Sequence, residues 1–141
     1  MGKALEMSEF AATYEATPEC ISVVRNQMAA LARECGMGAT AVADVKLAVS
    51  EAATNALVHG YRNGRGMIRI EAQIGDGELL IVVCDNGLGM SPRTDSPGLG
   101  LGLPVIAAVA DRVEVVDGAP GTQLRMTFDC PRSSPDAPVL H

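Results

Sequence analysis

The sequence contains no tryptophan, two tyrosines and two phenylalanines, so aromatic residues make up only 3% of its 141 positions. Its core must therefore be filled by aliphatic side chains and by methionine, which packs into irregular gaps. Cations are also scarce: 11 Lys and Arg stand against 17 Asp and Glu, for a net charge of −6. Such a surface lacks the clustered positive charge that holds phosphate backbones, which excludes non-specific DNA or RNA binding. It suits a partner that is basic where the two touch. No apolar run approaches the ~20 residues of a membrane span. The first ten residues, MGKALEMSEF, hold no apolar segment of the secretory kind, so a cytoplasmic location away from membranes is expected. Cys20, Cys35, Cys84 and Cys130 show no C-x-x-C spacing, and only two histidines accompany them. Structural thiols are expected, not a disulfide framework or a zinc site. There is no internal repeat.

What is present fits one domain over residues 1–130, with 48% hydrophobic residues available for a core. The Pro/Ser-rich stretch 131–141 is expected to be a disordered tail. Leu5 to Tyr14 alternates weakly and is expected to be an edge strand. Thr17-Pro18-Glu19 is a helix start with Thr17 as N-cap, and Ile21, Val24, Met28, Leu31 and Cys35 recur at helical spacing before Gly36. A second helix is expected from Thr40 to about Val58, with Gly60 beyond its end. It carries two stripes. Val42, Val45, Val49, Ala52, Ala56 and Leu57 form an apolar face. Asp44, Ala48, Glu51, Asn55 and His59 fall on one side at spacings of three or four. The second stripe narrows to short polar groups around alanines, as a surface against which a ligand fits.

Ile68, Ile70, Ala72 and Ile74 alternate with polar residues, the mark of a half-buried strand. Gly75-Asp76-Gly77 signals a tight hairpin, and Leu79 to Cys84 reads as a central strand. Pro104 is expected near the first turn of a helix ending at about Ala110. Arg112 to Asp117 is a strand, Gly118 to Gly121 a turn, and Leu124, Met126 and Phe128 the inward positions of a last strand. Strands joined by short turns with helices on one face make an α+β two-layer sandwich with a mostly antiparallel mixed sheet, not a doubly wound parallel one.

The central strand ends at Asp85 and runs into two glycine boxes, Asp85-Asn86-Gly87-Leu88-Gly89 and Gly98-Leu99-Gly100-Leu101-Gly102. Glycine lets backbone approach a flat or charged ligand closely, and a glycine box that opens a helix turns N–H groups toward phosphate. The dinucleotide fingerprint is G-x-G-x-x-G between strand and helix. Here the spacing is G-x-G-x-G, and the preceding SPRTDSP is no strand. No G-x-x-x-x-G-K-[ST] occurs either.

Glu51-Ala-Ala-Thr-Asn55-Ala-Leu-Val-His59-Gly60 resembles the N box of the GHKL ATPases, the superfamily of gyrase, Hsp90, sensor histidine kinases and MutL. The two glycine boxes look like that superfamily's own, and Gly121-Thr122 matches its last motif. Four motifs in the right order over residues 40 to 129 make the signal specific. SEAATNALVHGY and the small size resemble the anti-sigma-factor serine kinases, the RsbW/SpoIIAB type. The resemblance implies the Bergerat ATP-binding fold, ATP or ADP with Mg²⁺, and phosphorylation of a serine on a STAS-domain anti-anti-sigma protein. It also implies a sigma factor as second partner and a homodimer.

By the same resemblance, Asp85 accepts a hydrogen bond from the adenine amine. Gly87 and Gly89 let backbone approach the base, and Thr122 supports it directly or through water. Asn55 is the Mg²⁺ ligand. Glu51 orients or deprotonates the attacking hydroxyl. For His59, a phosphate contact and a helix cap are both open. Gly98, with the N–H groups of Gly100, Leu101, Gly102 and Leu103, cradles the β- and γ-phosphates. The lid, Met90 to Pro97, is shorter than in better-known relatives, and its Arg93 is set back from the second box. The cation at the γ-phosphate is then Arg93 or comes from a partner. Two other readings compete: a nucleotide-gated sequestering module with little kinase activity, and the ATP-binding half of a split histidine kinase. Against the latter, no helix with a phospho-accepting histidine precedes the N box.

Overall fold

The computed structural model describes residues 8–61, 66–85, 97–118 and 121–130. Among these residues five strands and three helices follow in the order β1 (Ser8–Glu15), α1 (Pro18–Glu34), α2 (Ala39–Tyr61), β2 (Met67–Gly75), β3 (Glu78–Asp85), α3 (Pro97–Val109), β4 (Arg112–Gly118) and β5 (Gly121–Asp129). The sheet order is β1-β2-β3-β5-β4. All four pairings are antiparallel, so the expected admixture of parallel strands is absent among the described residues. The helices lie on one side, and the α+β two-layer architecture holds.

The core sits between the layers. Ile68, Ile70, Leu79, Ile81 and Met126 from the sheet meet Val24 and Met28 of α1, Val45 and Val49 of α2, and Ile106 of α3, all fully buried. Aliphatic and methionine side chains carry it, as the want of aromatics required. The other face of the sheet is solvated by ion pairs, including Arg69 to Glu71 at 2.7 Å and Arg112 to Glu78 at 3.0 Å. β1 is an edge strand, with Phe10 and Tyr14 packed against the core rim.

Thr17 stands at the N-cap of α1 in an extended conformation, but its side chain makes no capping bond, and Pro18 opens the helix. At the other end the Gly36 N–H bonds the Arg33 carbonyl at 2.9 Å, and the Met37 N–H bonds that of Ala32 at 3.1 Å. This is a Schellman cap, and it needs the left-handed φ of 87° that Gly36 adopts. A Cβ there is strained. Gly36→Ala is expected to cost about 1–2 kcal/mol of stability, read as a lower urea midpoint with an unchanged slope; an unchanged midpoint refutes the cap's role.

Two helices depart from expectation. α2 runs to Tyr61, through Gly60, since the ~1 kcal/mol that a helical glycine costs is too little by itself to end a helix. α3 begins at Pro97, not near Pro104, which lies inside it. Pro97 already has the fixed φ and missing donor that suit a first position. Pro104 crowds the carbonyl of the residue four before it, which is Gly100, a residue free to adjust its backbone. The hairpin between β2 and β3 turns on Asp76 (φ 54°) and Gly77 (φ 76°), as a two-residue turn requires. The tail expected over 131–141, the start of the first strand before Ser8, and the residues at 119–120 lie outside the described residues.

All four cysteines are free, and Cys20, Cys35 and Cys130 are buried. The Cys130 thiol donates to the Cys35 carbonyl at 3.6 Å, tying the end of β5 to the end of α1. Burial, with the neighbouring Cys130 thiol, pushes Cys35 well above the ordinary thiol range. Cys84 is half-buried on the solvated face, and its thiol is raised by burial first and by Glu71 next. Native iodoacetamide labelling is therefore expected to modify Cys84 alone. Because its pKa lies above the usual value, the rate should climb roughly tenfold per pH unit from about pH 7 to 9 without levelling off. Labelling of a buried cysteine at a comparable rate contradicts this.

Candidate active site

The two-residue hairpin fixes the register of β2 on β3 and places Ile68 opposite Asp85. On the other side of β3, Asp85 stands opposite Thr122 of β5. Along β3 the positions two residues apart from Asp85 are Val83, Ile81 and Leu79, all buried in the core. Asp85 therefore sits on the helix-covered face, at the end of its strand, and is only 5% exposed. Thr122 shares that face at 7% exposure. A carboxylate and a hydroxyl are thus held side by side at one end of a rigid sheet, with Ile68 as apolar neighbour. This constellation suits a flat heterocycle with an exocyclic donor: apolar contact for the ring and an acceptor for the amine.

The polar stripe lies on α2 as its periodicity demanded. Ala48 and Ala52 are buried, while Asp44, Glu51 and Asn55 are half-buried at the edge of the packed face. α2 packs on β2, β3 and α3. Its C-terminal end, Tyr61, is joined to Met67 by only five residues, which reach at most ~20 Å. Since Ile68 is in register with Asp85, the Asn55 end of α2 is kept at the Asp85 end of the sheet.

Asn55 carries the sharpest signal. Its Nδ2 position is buried and has no hydrogen-bond partner among the described residues. Leaving a buried amide atom unpaired costs roughly 1–3 kcal/mol. The two ends of an amide are assigned by their hydrogen bonds, so the unpartnered end is equally a carbonyl oxygen. Either way it is a polar atom that the described residues leave unpaired. That donor chemistry fits Mg²⁺, which accepts a single amide oxygen alongside phosphate oxygens and water. Among the described residues no cluster of three or more His, Cys, Asp or Glu could hold a metal by itself.

Glu51 precedes Asn55 by one turn on the same edge. His59 lies within α2, and its side chain falls outside what is described. Gly98, Gly100, Leu101 and Gly102 all belong to α3, and Leu103 is half-buried against the core. Because α3 starts at Pro97, which has no N–H, the N–H groups of the helix left without an intrahelical carbonyl are those of Gly98 and Leu99; from Gly100 on each meets the carbonyl four residues before it. Gly102 and Leu103 fall in the second turn, where earlier carbonyls take their N–H groups. Gly87, Gly89 and Arg93 lie outside the described residues. Ile68 escaped the sequence reading: alternation marked it as inward, but only the hairpin register sets it beside Asp85.

Residues 14–128 match the family described as the histidine kinase-like ATPase domain, and the chain belongs to that family. Membership implies ATP or ADP as the ligand. Within it, the chain is similar to curated proteins named anti-sigma F factor. That of Clostridium kluyveri is 38% identical over 105 residues, covering 67% of this chain and 74% of the relative. That of a Thermoanaerobacter species is 37% identical over 119 residues, covering 75% of this chain and 82% of the relative. A crystal structure of the RsbU and RsbW domains of a Mycobacterium tuberculosis protein shares the fold, with a TM-score of 0.68 at 28% identity over 86% of this chain. This chain spans about a third of that solved one, 32%. Among the described residues no helix is long and apolar enough to cross a membrane.

Proposed function

We propose that the chain is an ATP-dependent protein-serine kinase that also sequesters a sigma factor, and that it acts on a serine of a STAS-domain anti-anti-sigma protein. The observation that carries the reading is the buried, unpartnered amide end of Asn55, one helical turn from the carboxylate of Glu51. Similarity to anti-sigma F factors and to a structure containing an RsbW domain supports the partner-switching role.

In this reading Asp85 and Thr122 fix the adenine, and Gly87 and Gly89 give the base room. Asn55 holds Mg²⁺, which when bound neutralises phosphate charge. The first turn of α3 faces the phosphate oxygens, with Gly98 and Gly100 keeping side chains out of their way. Leu101, Gly102 and Leu103 continue that helix, and His59 extends the polar edge toward the same end. Glu51 takes the proton from the serine hydroxyl as it attacks. The chemistry is mainly positioning and charge neutralisation, and Arg93 supplies the cation at the transferring phosphate. Two copies pair as a dimer in the cytoplasm.

The test is incubation with labelled ATP, Mg²⁺ and each purified STAS-domain protein of the host, with phosphoserine mapped by mass spectrometry. ATP binding and sigma-factor capture without phosphoserine would instead support the sequestering module. The metal role has its own test. Asn55→Leu is expected to remove the Mg²⁺-dependent part of ATP affinity. It should also raise the stability of the ligand-free protein by about 1 kcal/mol, because an orphaned polar atom is replaced by an apolar one. Calorimetry with and without Mg²⁺, and a urea melt, read the two effects; unchanged Mg²⁺ dependence removes Asn55 from the metal.

A further inference from the structure

The outward side of α2 carries an uncharged strip. Ala43, Leu47, Ser50, Thr54 and Val58 follow one another at spacings of three or four residues and share one side. Leu47 is 43% exposed and Val58 47%, unusual for large aliphatic residues on a helix whose other face is packed. Thr54 is exposed, and its hydroxyl donates to the Ser50 carbonyl at 2.7 Å, so that hydroxyl is already used within the helix. The acidic and basic residues of α2 are Asp44, Lys46, Glu51 and His59. Asp44 and Lys46 flank the strip near its N-terminal end, beside Leu47 and Ser50 respectively; Glu51 stands at its border beside Leu47 and Thr54.

That border position sets how an acceptor can reach Glu51. The surface neighbours of Glu51 on a helix are the residues three and four away: Leu47 and Ala48 before it, Thr54 and Asn55 after it. Ala48 is buried, and Asn55 turns its unpartnered end inward. Leu47 and Thr54 face solvent. A nucleotide occupies the Asn55 side. A hydroxyl that reaches the Glu51 carboxylate from outside must therefore bring its own flanking chain down over Leu47 and Thr54, with Val58 one turn further on.

We propose that the strip formed by Leu47, Thr54 and Val58 is the docking surface for the protein whose serine is phosphorylated. The acceptor presents an apolar, uncharged segment around that serine. The proposal rests on Glu51 acting on the acceptor hydroxyl, as in the function proposed above. Recognition through apolar contact depends little on charge steering, so the strip's contribution is weakly sensitive to salt.

The test uses the full chain and the STAS-domain protein that the labelling experiment selects. Leu47→Lys and Val58→Lys alter exposed positions, so folding and the Kd for Mg-ATP are checked first and are expected to match the wild type. Each variant should raise the KM for the acceptor about tenfold or more, the loss of one well-packed apolar contact, with kcat changed less than about twofold. Leu47→Met should behave as wild type. The wild-type KM should vary less than about threefold between roughly 0.05 and 0.5 M salt. An unchanged KM in both lysine variants, or a fall in kcat alone, overturns the docking surface while leaving the kinase intact. Absence of phosphoserine on every STAS-domain protein with the wild-type chain overturns the kinase reading itself, and the strip's assignment falls with it.

Discussion

Glu51→Gln is expected to slow phosphoserine formation by about 10²–10⁴-fold, the usual worth of a positioned general base. The substitution keeps the size and hydrogen-bonding shape of the side chain and removes only its ability to accept a proton. Glu51 lies half-buried on α2 between buried Ala48 and exposed Thr54, so the amide has room in the same place. Asp85 and Thr122, the residues proposed to hold adenine, pair across β3 and β5, on different elements from Glu51. The Kd for Mg-ATP should therefore stay within about threefold of wild type, the pattern of an interaction made only in the transition state. Single-turnover phosphorylation and titration calorimetry measure the two quantities separately. A variant that transfers phosphate at the normal rate removes the base; one that loses ATP affinity and rate together makes Glu51 part of the binding site.

The second large effect concerns the base. Asp85→Ala is expected to weaken ATP binding by about 10–150-fold, since a hydrogen bond to a charged group is worth roughly 1.5–3 kcal/mol. The purine riboside triphosphate, which lacks the exocyclic amine, gives the sharper comparison. Wild type should prefer ATP over it by a similar factor, and Asp85→Ala should bind the two about equally, because the amine no longer has an acceptor to find. The position is buried, so a melting curve of the ligand-free variant is needed to show that the sheet end has kept its shape. If the variant retains full preference for the amine, Asp85 is a strand-end turn former and the adenine lies elsewhere.

Much of this was legible in the residues. The stripe Glu51–Asn55 depends only on the 3.6-residue period of a helix, and any fold that keeps α2 helical keeps those two side by side. The inward positions Ile68, Ile70, Ala72, Leu124, Met126 and Phe128 follow from alternation and are buried, while Ile74 of the same pattern is half-buried. Asp76-Gly77 in the hairpin follows from the need for positive φ at both turn positions. The four motifs, in order, point to the family that residues 14–128 match.

Other features were out of reach of a linear reading. Helix ends are settled by packing and not by single residues. Gly60 did not stop α2, and Pro97, not Pro104, opened α3, so the N–H groups free at its start are those of Gly98 and Leu99. The uniformly antiparallel sheet, with β5 inserted between β3 and β4, is a consequence of which hydrophobic faces meet, and such pairings across long sequence separations leave no local mark.

The sequence alone determined the chemistry available to this protein: a carboxylate and an amide one turn apart, and an aspartate at the end of an apolar strand. Periodicity and residue type are local properties and survive any arrangement of the elements. Only the tertiary structure decided that Asp85 and Thr122 stand opposite each other beside Ile68, and that one end of Asn55 is buried without a partner. It also decided that Leu47 and Val58 face outward. Register and burial arise from contacts between distant segments, which no single stretch of chain encodes.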